Sequence, residues 1–334
     1  TVIFDEASQI KTEDAIGAIC RGKQAIIVGD NKQLPPTNFF TVTASDISET
    51  EDDDEYNDIG AYESILDEAN LLPEKTLLWH YRSKHESLIT FSNIKFYRNK
   101  LVTFPSCTGI SENNGVEFFY VENGRYDRGG RKGNLEEAKK VAELVFEHFK
   151  NEPNRTLGII TFGEIQQYAI ENEINKLRVN NPSYEHFFNE DNSEAFFIKS
   201  LENVQGDERD TIIFSVGYAK DYNGKMNMNF GPLSRIGGER RLNVAITRAK
   251  YNIKLVSSIL STDIDADRIS TEGPKLLKRY IEYAKDGVSV LKNEIEINED
   301  NYFDSPFEEA VYSFLDKQGY EVRTQVGCSG YRID

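Results

Sequence analysis

Four short runs of β-branched and apolar residues, each closing on polar or glycine residues, constrain this chain more than anything else in it. They are VIFDE at 2–6, AIIVGD at 25–30, TLGIITF at 156–162 and DTIIFSVGY at 210–218. Continuous apolar runs this short are the signature of strands buried on both faces, as in parallel sheets. Amphipathic helices lie between the later ones. NLEEAKKVAELVFEHF at 134–149 places Ala138, Val141, Val145 and Phe149 on one face, and the Asn134–Glu137 spacing predicts a capping box. Strands alternating with such helices predict an α/β fold with parallel sheets.

A length of 334 residues leads to an expectation of about two domains. The patterns predict part of one sheet at residues 1–78 and a second, complete α/β domain at 79–262. A helix and an acidic linker follow at 263–303, then a final helix-and-strand unit at 304–334. In that last unit Phe307, Val311, Phe314 and Leu315 share a helical face and Gly319 stops the helix. The first run opens the chain and the last is cut in mid-pattern, so further sequence is expected on both sides.

The net charge of −17 argues at first against a nucleic-acid partner. Much of the excess sits in SETEDDDEYND at 48–58 and NEIEINEDNYFD at 293–304. Neither has enough apolar surface to offset ordering entropy, so a mobile loop is expected at about 44–58. Basic clusters survive elsewhere, and the global charge decides little. Cys20, Cys107 and Cys328 are far apart and only four histidines are present, which makes a structural zinc site improbable. His80, His85, His148 and His186 read as structural or surface residues. No apolar stretch is long enough to span a bilayer, so a cytoplasmic protein with no membrane association is expected.

Asp5 and Glu6 follow the first strand directly, a pattern by which nucleotide hydrolases hold magnesium and orient a water. AIIVGDNKQLPP carries Gln33 into the loop at the carboxyl edge of a neighbouring strand, where open α/β sheets bind ligands. An ordinary strand exit closed by Pro35 and Pro36 fits that second stretch equally well on its own.

Six motifs in order shift the balance. VIFDEASQ and VGDNKQLPP resemble motifs II and III of superfamily 1 DNA/RNA helicases, in the branch containing the nonsense-mediated-decay helicase. LLWHYRSKHESLITFSNIKFY, LGIITFGEIQ, ENVQGDERDTIIFSVGY and RRLNVAITRAK resemble that branch's later motifs over residues 1 to about 258. The resemblance implies two RecA-like domains of the P-loop NTPase type, with ATP and Mg2+ as cofactors and single-stranded DNA or RNA as partner. It implies catalytic roles for Asp5, which also binds the metal, Glu6, Gln33 and two arginine fingers, Arg82 and Arg248. Nucleotide contacts are implied at Gln9, Gln205, Gly206, Glu208 and Arg241, and nucleic-acid contacts at Pro35, Thr161, Gln166 and Asn243. Tyr81 is a further candidate for stacking on a base or adenine. Glu202 stands where relatives often carry Asp, and YRSK where they carry YRMH.

Charge spreads over the γ-phosphoryl oxygens as ATP is hydrolysed, so catalysis is mostly positioning plus positive charge. Arg241 and Arg248, seven apart, are expected on one helical face roughly 10 Å from each other, and Arg240 reads as a surface salt-bridge partner. No phosphate-cradling G-x-x-x-x-G-K-[ST] loop occurs in the sequence. It is expected in an N-terminal remainder of the same protein, so the chain alone is expected to be inactive. The tail resembles endonucleases of the very-short-patch repair type, often fused behind such helicases in bacteria. That likeness implies a truncated restriction-endonuclease-like segment with Glu308 and Asp334 as metal-binding carboxylates. The competing readings are a non-catalytic α/β module that only binds nucleic acid or protein, and a nuclease with a regulatory ATPase.

Overall fold

The computed structural model describes residues 1–36, 64–103, 106, 113–127, 133–189, 194–294, 306–322, 326–328 and 331–333. The acidic stretch at 44–58, Cys107 and Asp334 lie outside the described residues. The chain divides into two compact units, Thr1–Leu77 and Leu78–Asp334.

In the first unit, strand β1 (Val2–Phe4) pairs in parallel with β2 (Ala25–Ile27), placing Phe4 opposite Ile27. Parallel neighbours need a crossover, here supplied by helix α1 (Thr12–Ile19), whose first turn carries Glu13 and Asp14 at the positive end of the helix dipole. Phe4, Ala7, Ala15 and Ile65 form the small core, with Val2, Ile10 and Ile27 packed against it. Helix α2 (Ile65–Glu68) is held by a reciprocal capping box between Ser64 and Asp67. Gly29 follows β2 where the backbone has no room to spare. A Cβ there would lie 3.0 Å from the Ser8 amide nitrogen and 3.1 Å from that of Ala7.

The second unit begins with helix α3 (Ser87–Phe96), strand β3 (Gly115–Tyr120), helix α4 (Leu135–Asn151), strand β4 (Leu157–Thr161) and helix α5 (Glu164–Asn180). It continues through β5 (Phe197–Ser200), β6 (Arg209–Ser215), α6 (Gly238–Ile246), β7 (Ala249–Ser257) and α7 (Glu272–Asp286). Strands β3 to β7 form one wholly parallel sheet in the order β3-β7-β6-β4-β5. This is the parallel α/β architecture of a RecA-like domain. Ala138, Val141, Val145 and Phe149 are buried as the helical spacing predicts, against Ile159 and Ile213 of the sheet and Ile170 and Ile174 of α5. Ile212 and Phe214, alternating with Ile213 along β6, are also fully buried, so both faces of the sheet are covered.

The helix expected within 263–303 is present as α7. Helix α7 belongs to the core of the second unit, with Leu277, Tyr280, Ile281 and Tyr283 buried. Phe91 of α3 packs edge-on against Tyr280, with ring centroids 5.1 Å apart, and the Tyr283 hydroxyl donates to the Ser87 carbonyl at 2.7 Å. The polar stripe of α7 hides this aromatic content from a reading by charge. Helix α8 (Pro306–Lys317) follows, ending before Gly319 at φ +81°. Its Phe307 and Phe314 are exposed. Strands β8 (Val326–Cys328) and β9 (Tyr331–Ile333) pair antiparallel.

Candidate nucleotide and nucleic-acid sites

In the first unit the pairing continues past the β1–β2 ladder, with Val28 N donating to Phe4 O at 2.8 Å and Ala7 N to Val28 O at 2.9 Å. Asp5 and Glu6 therefore leave β1 beside the exit of β2. Glu6 adopts the left-handed conformation, φ 51° and ψ 40°, an uncommon state for a non-glycine residue and one that clusters at functional sites. Its N–H donates to Asp5 Oδ1 at 3.0 Å, and both side chains are exposed. Across the ladder, Asp30 Oδ1 accepts Lys32 N at 2.8 Å and Asp30 Oδ2 accepts Gln33 Nε2 at 3.0 Å. Gln33 is thus oriented by its amide nitrogen, and Oε1 stays outside that bond. Asp30 as the orienting partner escaped the sequence reading, although it ends the same apolar run. Gln9 is exposed at the end of the turn Ala7–Gln9, and Pro35 is half-buried.

No group of three or more His, Cys, Asp or Glu side chains that could hold a metal occurs among the described residues. Magnesium in phosphoryl-transfer sites takes one or two carboxylates and completes its shell with water and phosphate oxygens. An exposed Asp5 carboxylate at a strand exit suits that role.

In the second unit Arg82 Nε donates to Glu208 Oε2 at 2.7 Å. Lys250 Nζ lies 3.2 Å from Glu208 Oε1 and 2.9 Å from Glu194 Oε1. Burial works to raise the Glu208 carboxyl, but the Lys250 and Arg82 cations beside it prevail and hold it below its ordinary value. His80, two residues before Arg82, is held down to about 4 by burial and by the Arg82 charge, so it is neutral. Its Nε2 accepts the Ser83 N–H at 3.2 Å and braces that turn. Tyr81 is 83% exposed. Gly206 is exposed at φ +88°, and Gln205 is half-buried.

Two arginine expectations change. Helix α6 ends at Ile246, so Arg241 and Arg248 do not share its face. Arg241 donates through Nε to Glu202 Oε1 at 3.0 Å, tying α6 to the loop that carries Gln205 and Gly206. Arg248 is 3% exposed rather than solvent-facing. Its Nε donates to Val244 O at 2.9 Å and its Nη2 to Thr247 Oγ1 at 3.1 Å, placing the cation on the negative end of α6. Arg240 is half-buried.

Three residues expected on nucleic acid are buried, with side-chain hydrogen bonds inside the protein. Thr161 is fully buried and donates to Gly163 O at 3.0 Å. Gln166, 6% exposed, accepts Asn134 N at 2.9 Å and donates to Asn134 O at 3.2 Å. Asn243 is buried and donates to the Tyr97 hydroxyl at 3.0 Å. The exposed residues beside the β4 exit are Glu164, Ile165 and Tyr168.

The capping box at Asn134 is half of what was expected. Asn134 Oδ1 accepts Glu137 N at 3.2 Å, but the backbone N–H of Asn134 goes to Gln166 Oε1 and the Glu137 carboxylate turns into the sheet. Its Oε1 accepts Ser215 Oγ at 2.8 Å and Gly217 N at 2.7 Å. Its Oε2 accepts Ser258 Oγ at 2.9 Å and Asn134 Nδ2 at 3.2 Å. Burial pushes this carboxyl up to about 7, while the hydrogen bonds from Gly217, Ser215 and Ser258 pull it down. Glu137 thus joins α4 to the carboxyl ends of β6 and β7, and Asn134 extends the join to Gln166 of α5. In the nuclease-like tail only the backbone of Glu308 is described, within α8.

A family model described as "AAA domain" matches residues 62–259, more than half of the chain. An uncharacterized ATP-dependent helicase of Mycoplasma pneumoniae is 37% identical over 297 residues, covering 85% of this chain and 25% of the relative. Helicase SEN1 of Saccharomyces cerevisiae is 26% identical over 298 residues, covering 86% of this chain and 12% of the relative. A Regulator of nonsense transcripts 1 homolog of Arabidopsis thaliana is 26% identical over 273 residues, covering 77% and 19%. The chain thus spans about a quarter or less of the length of these relatives. It belongs to the AAA domain family, among the superfamily 1 helicases.

Proposed function

We propose that this chain is the ATP-hydrolysing and strand-engaging portion of a helicase or translocase acting on single-stranded DNA or RNA in the cytoplasm. The observation that carries this reading is the pair of adjacent strand exits, Asp5–Glu6 beside Asp30–Gln33, joined by the Val28–Phe4 and Ala7–Val28 hydrogen bonds. Asp5 would ligate Mg2+, which when bound neutralises phosphate charge. Glu6 would accept a proton from the attacking water, and Gln33 Oε1 would orient that water. Arg82 would supply positive charge to the γ-phosphoryl group. Arg248 would do so only after leaving its bonds to Val244 and Thr247. Gln205, Gly206, Glu208 and Arg241 line or brace the loop proposed for the nucleotide, and Gln9 ends the turn Ala7–Gln9 that follows the carboxylate pair. For nucleic acid, Pro35 and the exposed Tyr168 and Ile165 would make the contacts, since Thr161, Gln166 and Asn243 are buried.

The test is ATP turnover with and without single-stranded nucleic acid. In the full-length protein, stimulation by a strand and loss on Glu6→Gln are expected. The chain of 334 residues alone, in which no G-x-x-x-x-G-K-[ST] loop occurs, should hydrolyse ATP only marginally. Strong strand-stimulated turnover by residues 1–334, abolished by Glu6→Gln, would sink that expectation. Full-length protein indifferent to Glu6→Gln would sink the whole reading and favour the module that only binds nucleic acid or protein.

A fused nuclease activity is proposed as well. The sequence likeness at Glu308 and the helix-then-strands order of α8, β8 and β9 support it. Magnesium-dependent nicking by the full-length protein, lost in Glu308→Ala, is the measurement that decides it.

A further inference from the structure

The ionic side chains around Arg82 hang on an unusually fixed frame. Lys84 N donates to Lys250 O at 2.8 Å, joining the Arg82 segment to the start of β7. Arg209 N donates to Arg248 O at 3.2 Å, joining the starts of β6 and β7. The Arg209 guanidinium donates through Nη2 to Ala195 O and through Nη1 to Glu208 O, each at 2.6 Å. Glu194 and Glu208 are thereby set at fixed places from which their carboxylates meet Lys250. Long side chains on mobile backbones lose most of an ion pair's energy to ordering. Here the backbone part of that cost is already met by hydrogen bonds.

Glu208 holds Arg82 by Nε, through one carboxylate oxygen. That leaves the two Nη groups, the planar fork suited to phosphate, outside the bond. The second oxygen of Glu208 faces Lys250. Were that oxygen released, it could take an Nη of the same arginine and close a two-bond pair that folds the fork away. We infer that Lys250 is a positioning residue which, by occupying the second oxygen of Glu208, keeps the phosphate-binding fork of Arg82 presented. The inference rests on the proposed role of Arg82 toward ATP and adds to it Lys250, a residue given no role by the motif reading.

The experiment measures ATP turnover by the full-length protein carrying Lys250→Ala, Lys250→Arg, Arg82→Ala and the Lys250→Ala/Arg82→Ala pair. A misplaced catalytic group costs rate rather than ground-state binding, so Lys250→Ala should lower kcat about tenfold with KM for ATP within about twofold. Lys250→Arg should recover most of the loss, and the double variant should be no slower than Arg82→Ala. A Lys250→Ala defect that persists in full on the Arg82→Ala background, or falls on KM, overturns the inference. A second readout does not need turnover: the acylation rate of the Lys250 amine, followed by mass spectrometry. It should rise severalfold in Glu208→Gln, and an unchanged rate would equally overturn the inference. Wild-type protein that turns over no ATP refutes the proposed function instead, and labelling still decides whether Lys250 is held by Glu208.

Discussion

Glu137 and Gly217 are separated by 80 positions, yet the Glu137 carboxylate accepts the Gly217 N–H at 2.7 Å. A helix start and a strand exit are thereby locked by a side chain that never reaches solvent.

Stability should depend on pH through Glu137. Its folded value of about 7 stands above the ordinary 4.5, so the folded state holds a proton that the unfolded state has already released between those values. Stability is therefore greatest below the ordinary value and falls as pH rises through about 7, by about 3 kcal/mol across the window. Urea unfolding at several pH values should show this slope in the wild type and its disappearance in Glu137→Gln. Parallel curves for the two proteins would contradict the assignment.

Arg248→Ala should cost stability as well as rate. The substitution removes two buried hydrogen bonds, to the Val244 carbonyl, which keeps the Thr247 N–H and hydroxyl as donors, and to the Thr247 hydroxyl oxygen, for an expected loss of about 1–3 kcal/mol. If Arg248 also serves as a finger, turnover by the full-length protein should fall on the order of a thousandfold. Unfolding midpoints and turnover rates together separate the two effects. An unchanged midpoint would show that the buried bonds matter little.

A chain ended at residue 262, the boundary expected from sequence, should fail to fold its second unit properly. It would strip Tyr280 and Tyr283 from Phe91. Phe91→Ala in the intact chain isolates the same packing and should cost about 3–5 kcal/mol. A soluble 1–262 fragment with a native-like unfolding transition would count against this.

Gly29→Ala should disturb the Asp5–Gln33 pair of strand exits without touching a charged group. The added methyl carbon would sit 3.0 Å from Ser8 N, against backbone that cannot rotate away. A destabilisation of about 1–3 kcal/mol is expected, with a rise in KM for ATP in the full-length protein. Wild-type behaviour in both respects would mean that the turn after β1 yields freely.

The parallel sheet was legible because β4 and β6 are near-continuous apolar runs, and α4 because its buried residues keep helical spacing. Strands β3, β5 and β7 were not, since polar residues interrupt them. Lys254 in β7 is 5% exposed but lies 3.4 Å from Glu117 of β3, and a pair made across 137 residues leaves no local mark. The same holds for the site. Asp5, Glu6 and Gln33 stand out because short spacing places them at strand exits. Glu137 looked like a cap because its own N–H does take part in one, while its carboxylate answers to Ser215, Gly217 and Ser258. Arg248 looked free because sequence shows that α6 is helical, but not that it ends two residues earlier.

The Phe4–Ile27 ladder is only three residues long on each strand, and Ile3 is 66% exposed beside it. Local opening of such a ladder needs far less free energy than opening β4, whose five residues are all buried between two neighbours. The amide of Val28 will therefore exchange its hydrogen with solvent long before that of Ile159. In residues 1–334 taken alone, the carboxylates proposed for catalysis thus stand on the ladder that opens first, ahead of the sheet that holds β4.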